Sequence, residues 1–194
     1  MKLILASQSP RRKELLKLAG FDFEIKIPDI DETIDDNWKT FESPEILARK
    51  KAASVFEQFH PGNETVVIAA DTIVFLNGKI FNKPGNDAEA LYMLQALSGT
   101  THSVITGVCI RTAEHEESFS DETKVVFGNL LKEELEYYIK NHRPFDKAGG
   151  YGIQDWIGVR IVERIEGCYF NVMGLPVRRV ADVLKKFSLT GMNK

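Results

Sequence analysis

Cysteine is scarce in this chain: Cys109 and Cys168 are its only two, far apart and outside any C-x-x-C spacing. That excludes a disulfide framework and a thioredoxin-like motif, and it points to reduced thiols in a cytoplasmic protein. The four histidines, His60, His102, His115 and His142, form no H-x-x-x-H or Cys/His set, so a zinc site has little support and most of these residues are expected at the surface. No apolar run approaches the roughly 20 residues needed to span a bilayer. Leu3–Ala6 behind Lys2 is too short for the core of a signal peptide and leads into a charged segment. Basic charge is not in excess either. The 25 Lys+Arg stand against 28 Asp+Glu for a formal charge of -3, and the basic residues are dispersed. No nucleic-acid arm and no membrane partner is therefore expected, and any affinity for phosphate must be local.

What is present is a globular composition, 43% hydrophobic over 194 residues, with no repeat or linker, so a single domain over 1–194 is expected. Patterning predicts a strand at Leu3–Ala6 and a helix from Pro10 to Ala19 that buries Leu15, Leu16, Leu18 and Ala19. Phe21, Phe23, Ile25 and Ile27 alternate with charged residues as in a half-buried strand, followed by an acidic loop from Asp29 to Asp36. Ser43-Pro44 starts a helix to Phe59, stopped by His60-Pro61-Gly62-Asn63. Thr65–Ala70 is apolar enough for a central strand, with Asp71-Thr72 at its end, and Asn77-Gly78 is a hairpin turn. Asn86 with Glu89 caps a helix through Leu97. Strands are expected at His102–Thr112, Ser118–Phe127 and Val159–Ile165, and helices at Lys132–Lys140 and Val177–Phe187. Alternating helices and strands with a tight hairpin imply an α/β fold around a mixed sheet.

Several segments carry candidate chemistry. Ser7-Gln8-Ser9-Pro10-Arg11-Arg12 joins a strand to a helix whose N-cap is Ser9 and whose first position is Pro10. Hydroxyls, free helix amides and two guanidinium groups there suit phosphate oxygens, although an ordinary turn with solvated arginines has the same sequence. Asp71 is held by a rigid strand, as a catalytic or metal-binding carboxylate needs, and equally as a turn-capping aspartate would be. Asp31 or Glu32 can supply a second carboxylate for Mg²⁺. Of Arg49, Lys50 and Lys51, adjacent helix positions that point in different directions, Lys51 is assigned to the site. Lys83, fixed before Pro84, is placed to hold a leaving pyrophosphate. The loop from Lys147 to Gln154 is glycine-rich, but it lacks both the P-loop and the dinucleotide-binding spacing.

Together with Ala48-Arg49-Lys50-Lys51-Ala52, Ala70-Asp71-Thr72, Lys83-Pro84, Lys147–Gln154 and Gly174-Leu175-Pro176, these motifs resemble, in order, the Maf family of nucleoside triphosphate pyrophosphatases. The resemblance implies an inosine-triphosphatase-like α/β fold, a twisted mixed central sheet with helices packed on both sides. It also implies dependence on Mg²⁺ or Mn²⁺, hydrolysis at the α-β bond to a nucleoside monophosphate and pyrophosphate, and a homodimer. Asp71 resembles the family's catalytic base, with Glu32, Lys51 and Lys83 its other essential charged residues and Asp71 with Glu32 the metal ligands. Ser7, Ser9, Arg11 and Arg12 resemble its phosphate-binding motif. Arg11, Thr72 and Gln154 match positions linked to the dTTP/UTP branch. Asn82 stands where the family pattern has glycine before Lys-Pro. A nucleotide-sensing regulator, for example of cell division, would use the same cations without turnover, but it would not need Asp71 and Glu32.

Overall fold

A computed structural model describes residues 1–35, 38–60, 62 and 64–191; Asp36 of the acidic loop and Pro61 and Asn63 of the helix stop lie outside them. The elements run β1 (Lys2–Ala6), α1 (Pro10–Leu18), β2 (Glu24–Lys26), α2 (Ser43–Phe59), β3 (Thr65–Leu76), β4 (Lys79–Phe81), α3 (Asp87–Leu97), β5 (Thr101–Arg111) and β6 (Glu116–Phe127). They continue with α4 (Lys132–His142), a 3-10 turn (Ala148–Gly150), α5 (Trp156–Ile161), β7 (Val162–Glu166), α6 (Tyr169–Val172) and α7 (Val177–Lys185). The strands pair in the order β2-β1-β3-β5-β6-β7, with β4 added to β3. β1 is parallel to β2 and to β3, whereas β3–β4 and β6–β7 are antiparallel, so the sheet is mixed and helices flank it, as the patterning implies.

The chain forms two compact units, one of Met1–Asp71, Thr106–Asp121 and Gly174–Lys194, the other of Thr72–Ile105 and Glu122–Met173. In the first, Ile4, Ala6, Val67 and Ala69 of the parallel strands pack with Ala48, Ala52 and Val55 of α2 and with Cys109. The small alanines allow α2 close to the strands. In the second, α3 packs on α4 and on the 3-10 turn.

Local signals account for several boundaries. Ser9 caps α1 by accepting from the Arg12 N–H, with Pro10 in its first turn, and Asn86 caps α3 by accepting from the Glu89 N–H at 2.9 Å. Leu76 pairs with Lys79 across a two-residue turn in which Asn77 and Gly78 have φ of 48 and 83, the left-handed pair that a twisted hairpin requires.

Four expectations are corrected. Leu18 is 74% exposed, because the buried stripe of α1 is Arg12, Leu15 and Leu16 and Leu18 lies about 200° around the helix from Leu16. The second strand is only three residues long, an edge paired to β1 alone, so Ile25 and Ile27 are exposed while Phe21 is buried. β3 does not end at Asp71: Thr72–Leu76 is a further apolar and β-branched run whose end is paired with β4, so Asp71 is within the strand. Val159–Ile161 is helical, because burial of Ile157, Gly158 and Ile161 follows a helical period and leaves Val159 83% exposed. Of the histidines, His60, His115 and His142 are exposed, as expected of most of them, and His102 is buried, enclosed by Phe127 and Tyr151.

Candidate active site

In the first unit, the turn between β1 and α1 is built around Arg12. Its Nε donates to the Gly174 carbonyl at 2.8 Å, and its Nη1 to Ser7 Oγ at 3.4 Å. Ser7 Oγ also accepts from the Ser9 N–H at 3.1 Å, so the two serines and the arginine form one hydrogen-bonded turn. Arg12 is only 9% exposed. Burial pulls its guanidinium below the ordinary value, Asp71 pulls it back up, Arg11 adds to the lowering and Glu32 opposes it. Arg11, Asp71 and Glu32 thus all act on the same buried cation, and of the three only Arg11 is its neighbour in sequence.

Lys51 is the buried member of the basic triplet on α2, at 5% exposure, whereas Arg49 and Lys50 face outward. Its ammonium donates to Asp71 Oδ1 at 2.7 Å and lies 2.9 Å from Glu32 Oε1, one cation held between two carboxylates. The loop that delivers Glu32 is tied down along the same helix. The Asp29 N–H donates to Ser54 Oγ at 3.2 Å, Ser54 Oγ lies 3.2 Å from the Asp29 carbonyl, and Gln58 Nε2 donates to Ser54 Oγ at 2.8 Å. Lys51, Ser54 and Gln58 are spaced i, i+3, i+7, one stripe of the helix. The two acidic candidates separate here. Asp31 accepts from the Thr33 hydroxyl at 2.6 Å and N–H at 2.9 Å, bonds that hold its carboxyl below the usual range, while Glu32 is the one that reaches Lys51.

In the second unit, Thr72 follows Asp71 along β3 and is half-buried. Lys83 is exposed ahead of the buried Pro84, and Asn82, the departure from the family pattern, accepts from the Gly149 N–H at 3.0 Å through its carbonyl. That bond fastens the Lys83-Pro84 segment to the glycine-rich loop. Gln154 is exposed at the end of this loop, directly before α5. Lys147, at the loop's start, pairs with Asp146 at 2.8 Å and lies 3.6 Å from Asp155 Oδ2.

The structure therefore brings together Ser7, Ser9, Arg12, Glu32, Lys51 and Asp71 in the first unit, and joins the Lys83 and Gln154 segments through the glycine loop in the second. Sequence reasoning missed the Gly174 carbonyl, because a backbone acceptor has no residue signature, although Gly174-Leu175-Pro176 is legible as a turn. It also missed Tyr138 and Asp155. Tyr138 reads as one apolar residue of α4, and Asp155 as the start of a helix.

The chain is a mixed α/β protein whose first unit holds a buried arginine at a helix N-terminus and a lysine clasped by two carboxylates. It belongs to the Maf-like protein family, which matches residues 2–187. A relative named dTTP/UTP pyrophosphatase from Phocaeicola vulgatus is 52% identical over 186 residues, covering 95% of each chain. A second of the same name, from Thermosipho africanus, is 50% identical over 184 residues, 95% of this chain and 92% of its own. Among solved structures, the Staphylococcus aureus Ham1 protein is similar with a TM-score of 0.43 and 18% identity, over 66% of this chain and 72% of that one.

Proposed function

We propose that this chain is a nucleoside triphosphate pyrophosphatase that hydrolyses dTTP, UTP and related pyrimidine nucleotides at the α-β bond. The observation that carries the reading is the Lys51 ammonium between Asp71 and Glu32, in the same unit as the buried Arg12, in a chain half identical to relatives named for this activity. Water attacks the α phosphorus, the bond to the bridging oxygen breaks, and pyrophosphate leaves. Asp71, with Lys51 on its Oδ1, orients the attacking water and receives its proton. Arg11 and Arg12 bind the phosphate oxygens together with the hydroxyl turn of Ser7 and Ser9, with Ser7 holding Arg12 in place. Lys83 neutralises the leaving pyrophosphate, and Thr72 and Gln154 meet the base, whose donor and acceptor edge a carboxamide complements. The chain is read as one functional domain over 1–194.

Asp71 and Glu32 are hard oxygen donors within 3 Å of one cationic atom, which fits Mg²⁺ or Mn²⁺. Among the described residues no group of three or more His, Cys, Asp or Glu side chains gathers, and an ion held by these two carboxylates would draw on phosphate oxygens and water as well. A bound divalent ion supplies charge neutralisation on the phosphates. Asp71 and Glu32 are the residues that would hold it. Family likeness also suggests a homodimer, and no helix among the described residues is long and apolar enough to cross a membrane.

The test is a panel of dTTP, UTP, ATP and GTP with Mg²⁺ or Mn²⁺, measuring pyrophosphate and orthophosphate separately. Pyrophosphate with monophosphate, fastest from dTTP and UTP, is expected. Orthophosphate in its place moves cleavage to the γ position and overturns the assignment; nucleotide binding with no product of either kind leaves a regulator instead.

A further inference from the structure

Asp155 stands at the N-cap of α5, where a short carboxylate ordinarily accepts from the first free amides of the helix, yet it makes no such bond. Its Oδ2 accepts instead from the Tyr138 hydroxyl at 3.2 Å and lies 3.6 Å from the Lys147 ammonium. The same hydroxyl accepts from the Gly152 N–H at 3.3 Å, and the Asp155 N–H donates to the Gly152 carbonyl at 3.0 Å. One phenol thus ties both ends of the turn Gly152-Ile153-Gln154-Asp155. There is no slack within it: a Cβ on Gly152 would lie 2.5 Å from Asp155 Oδ2 and 3.1 Å from Gln154 Nε2. The Gln154 amide therefore rests against the glycine that Tyr138 fixes.

Tyr138 is itself immobilised. It is fully buried on α4 and stacked with His142 and with Trp156, the residue after Asp155, at centroid distances of 5.0 and 6.4 Å. Burial and the neighbouring carboxylate both push its hydroxyl above the ordinary phenol value, which keeps the proton that Asp155 accepts.

We propose that Asp155, acting through Tyr138 and Gly152, is a positioning residue that aims Gln154 and so sets the preference for pyrimidine over purine nucleotides. The inference rests on the reading that Gln154 meets the base. A carboxylate that serves only to start a helix would cap it. This one forgoes the cap and holds the turn preceding the helix.

The experiment uses Asp155→Ser, which restores a good N-cap but is too short to reach Tyr138, with Tyr138→Phe as the second variant and Gln154→Ala as reference. The dTTP-to-dGTP ratio of kcat/KM should fall about tenfold in Asp155→Ser and in Tyr138→Phe, while kcat/KM for base-free ribose 5′-triphosphate stays within about twofold. In the Gln154→Ala background neither substitution should change the ratio further. If Gln154→Ala flattens the ratio and both other variants keep it, the positioning role is wrong and the reading of Gln154 stands. An unchanged ratio in Gln154→Ala overturns that reading itself. Equal losses on dTTP, dGTP and the base-free compound make Asp155 a support of the fold and overturn the inference; should Tyr138→Phe not fold, Asp155→Ser, with its cap intact, decides alone.

Discussion

The two units of this protein differ in the charge they bury. In the first, two of the buried polar residues carry full charge, Lys51, which is matched against Asp71 and Glu32, and Arg12, whose charged form the same carboxylates favour. In the second, the buried polar groups are neutral. His102 Nε2 lies 2.8 Å from the Tyr151 hydroxyl, burial lowers the imidazole pKa to about 4, and Tyr138 keeps its proton. On the proposed function the difference is chemical: a triphosphate is held by charge that must persist, whereas a base is told from another by neutral donors and acceptors held at fixed angles. Charge should set the rate, and neutral geometry the choice of nucleotide.

The sharpest way to break that division is Asp71→Asn, which keeps shape and removes charge. We expect kcat to fall on the order of a thousandfold or more, with triphosphate binding still measurable by calorimetry. A near-normal kcat would reduce Asp71 to a partner for Lys51. Lys51→Met leaves the Asp71 carboxylate nearly buried without its ammonium, and chemical denaturation should record a loss of about 3 kcal/mol. Adding Asp71→Asn to Lys51→Met should restore part of this; a double variant less stable than Lys51→Met would mean that the cost does not come from the stranded charge.

Alanine at Arg11 or at Lys83 should lower kcat/KM about a hundredfold, because each removes a charge-assisted contact. A changed dTTP-to-dGTP ratio in Lys83→Ala would blur the division between rate and choice. The smallest effect concerns acid. His102 titrates near 6.5 in the unfolded chain but at about 4 when folded, so the stability tied to its neutral form is whole above pH 6.5 and is lost as the pH falls toward 4. By pH 5 this amounts to about 2 kcal/mol relative to pH 7, and His102→Gln should remove that part of the acid slope in urea titrations. An unaltered slope would put the acid sensitivity in the charged pairs of the first unit.

Features governed by near neighbours along the chain are legible from the amino-acid sequence. Ser9 with Pro10, Asn77 with Gly78 and Asn86 with Glu89 each specify a cap or turn through bonds only a few residues long. The choice of Lys51 over Arg49 and Lys50 follows from the turn of a helix whose apolar positions already mark its inner side. What periodicity does not carry is who meets whom. Lys51 and Asp71 lie 20 residues apart, and Arg12 and Gly174 are 162 apart. His102 looks like one polar residue among many until Phe127 and Tyr151 close around it. Val159–Ile161 has β-branched residues typical of a strand, and only the packing of Ile157 and Ile161 makes it helical.

The position of Asp71 inside β3, not at its end, governs how the chain tolerates a change of length. One residue inserted between Ala70 and Thr72 would reverse the facing of every side chain from Thr72 to Leu76, and the pairs Val74 with Phe81 and Phe75 with Ile80 would each present the wrong face. The loop around Thr33, whose paired anchors lie earlier at Asp29, has no ladder to fall out of step. Over generations of insertion and deletion, the carboxylate from the strand is fixed in place by arithmetic, and the carboxylate of Glu32 is the partner free to be re-sited around it.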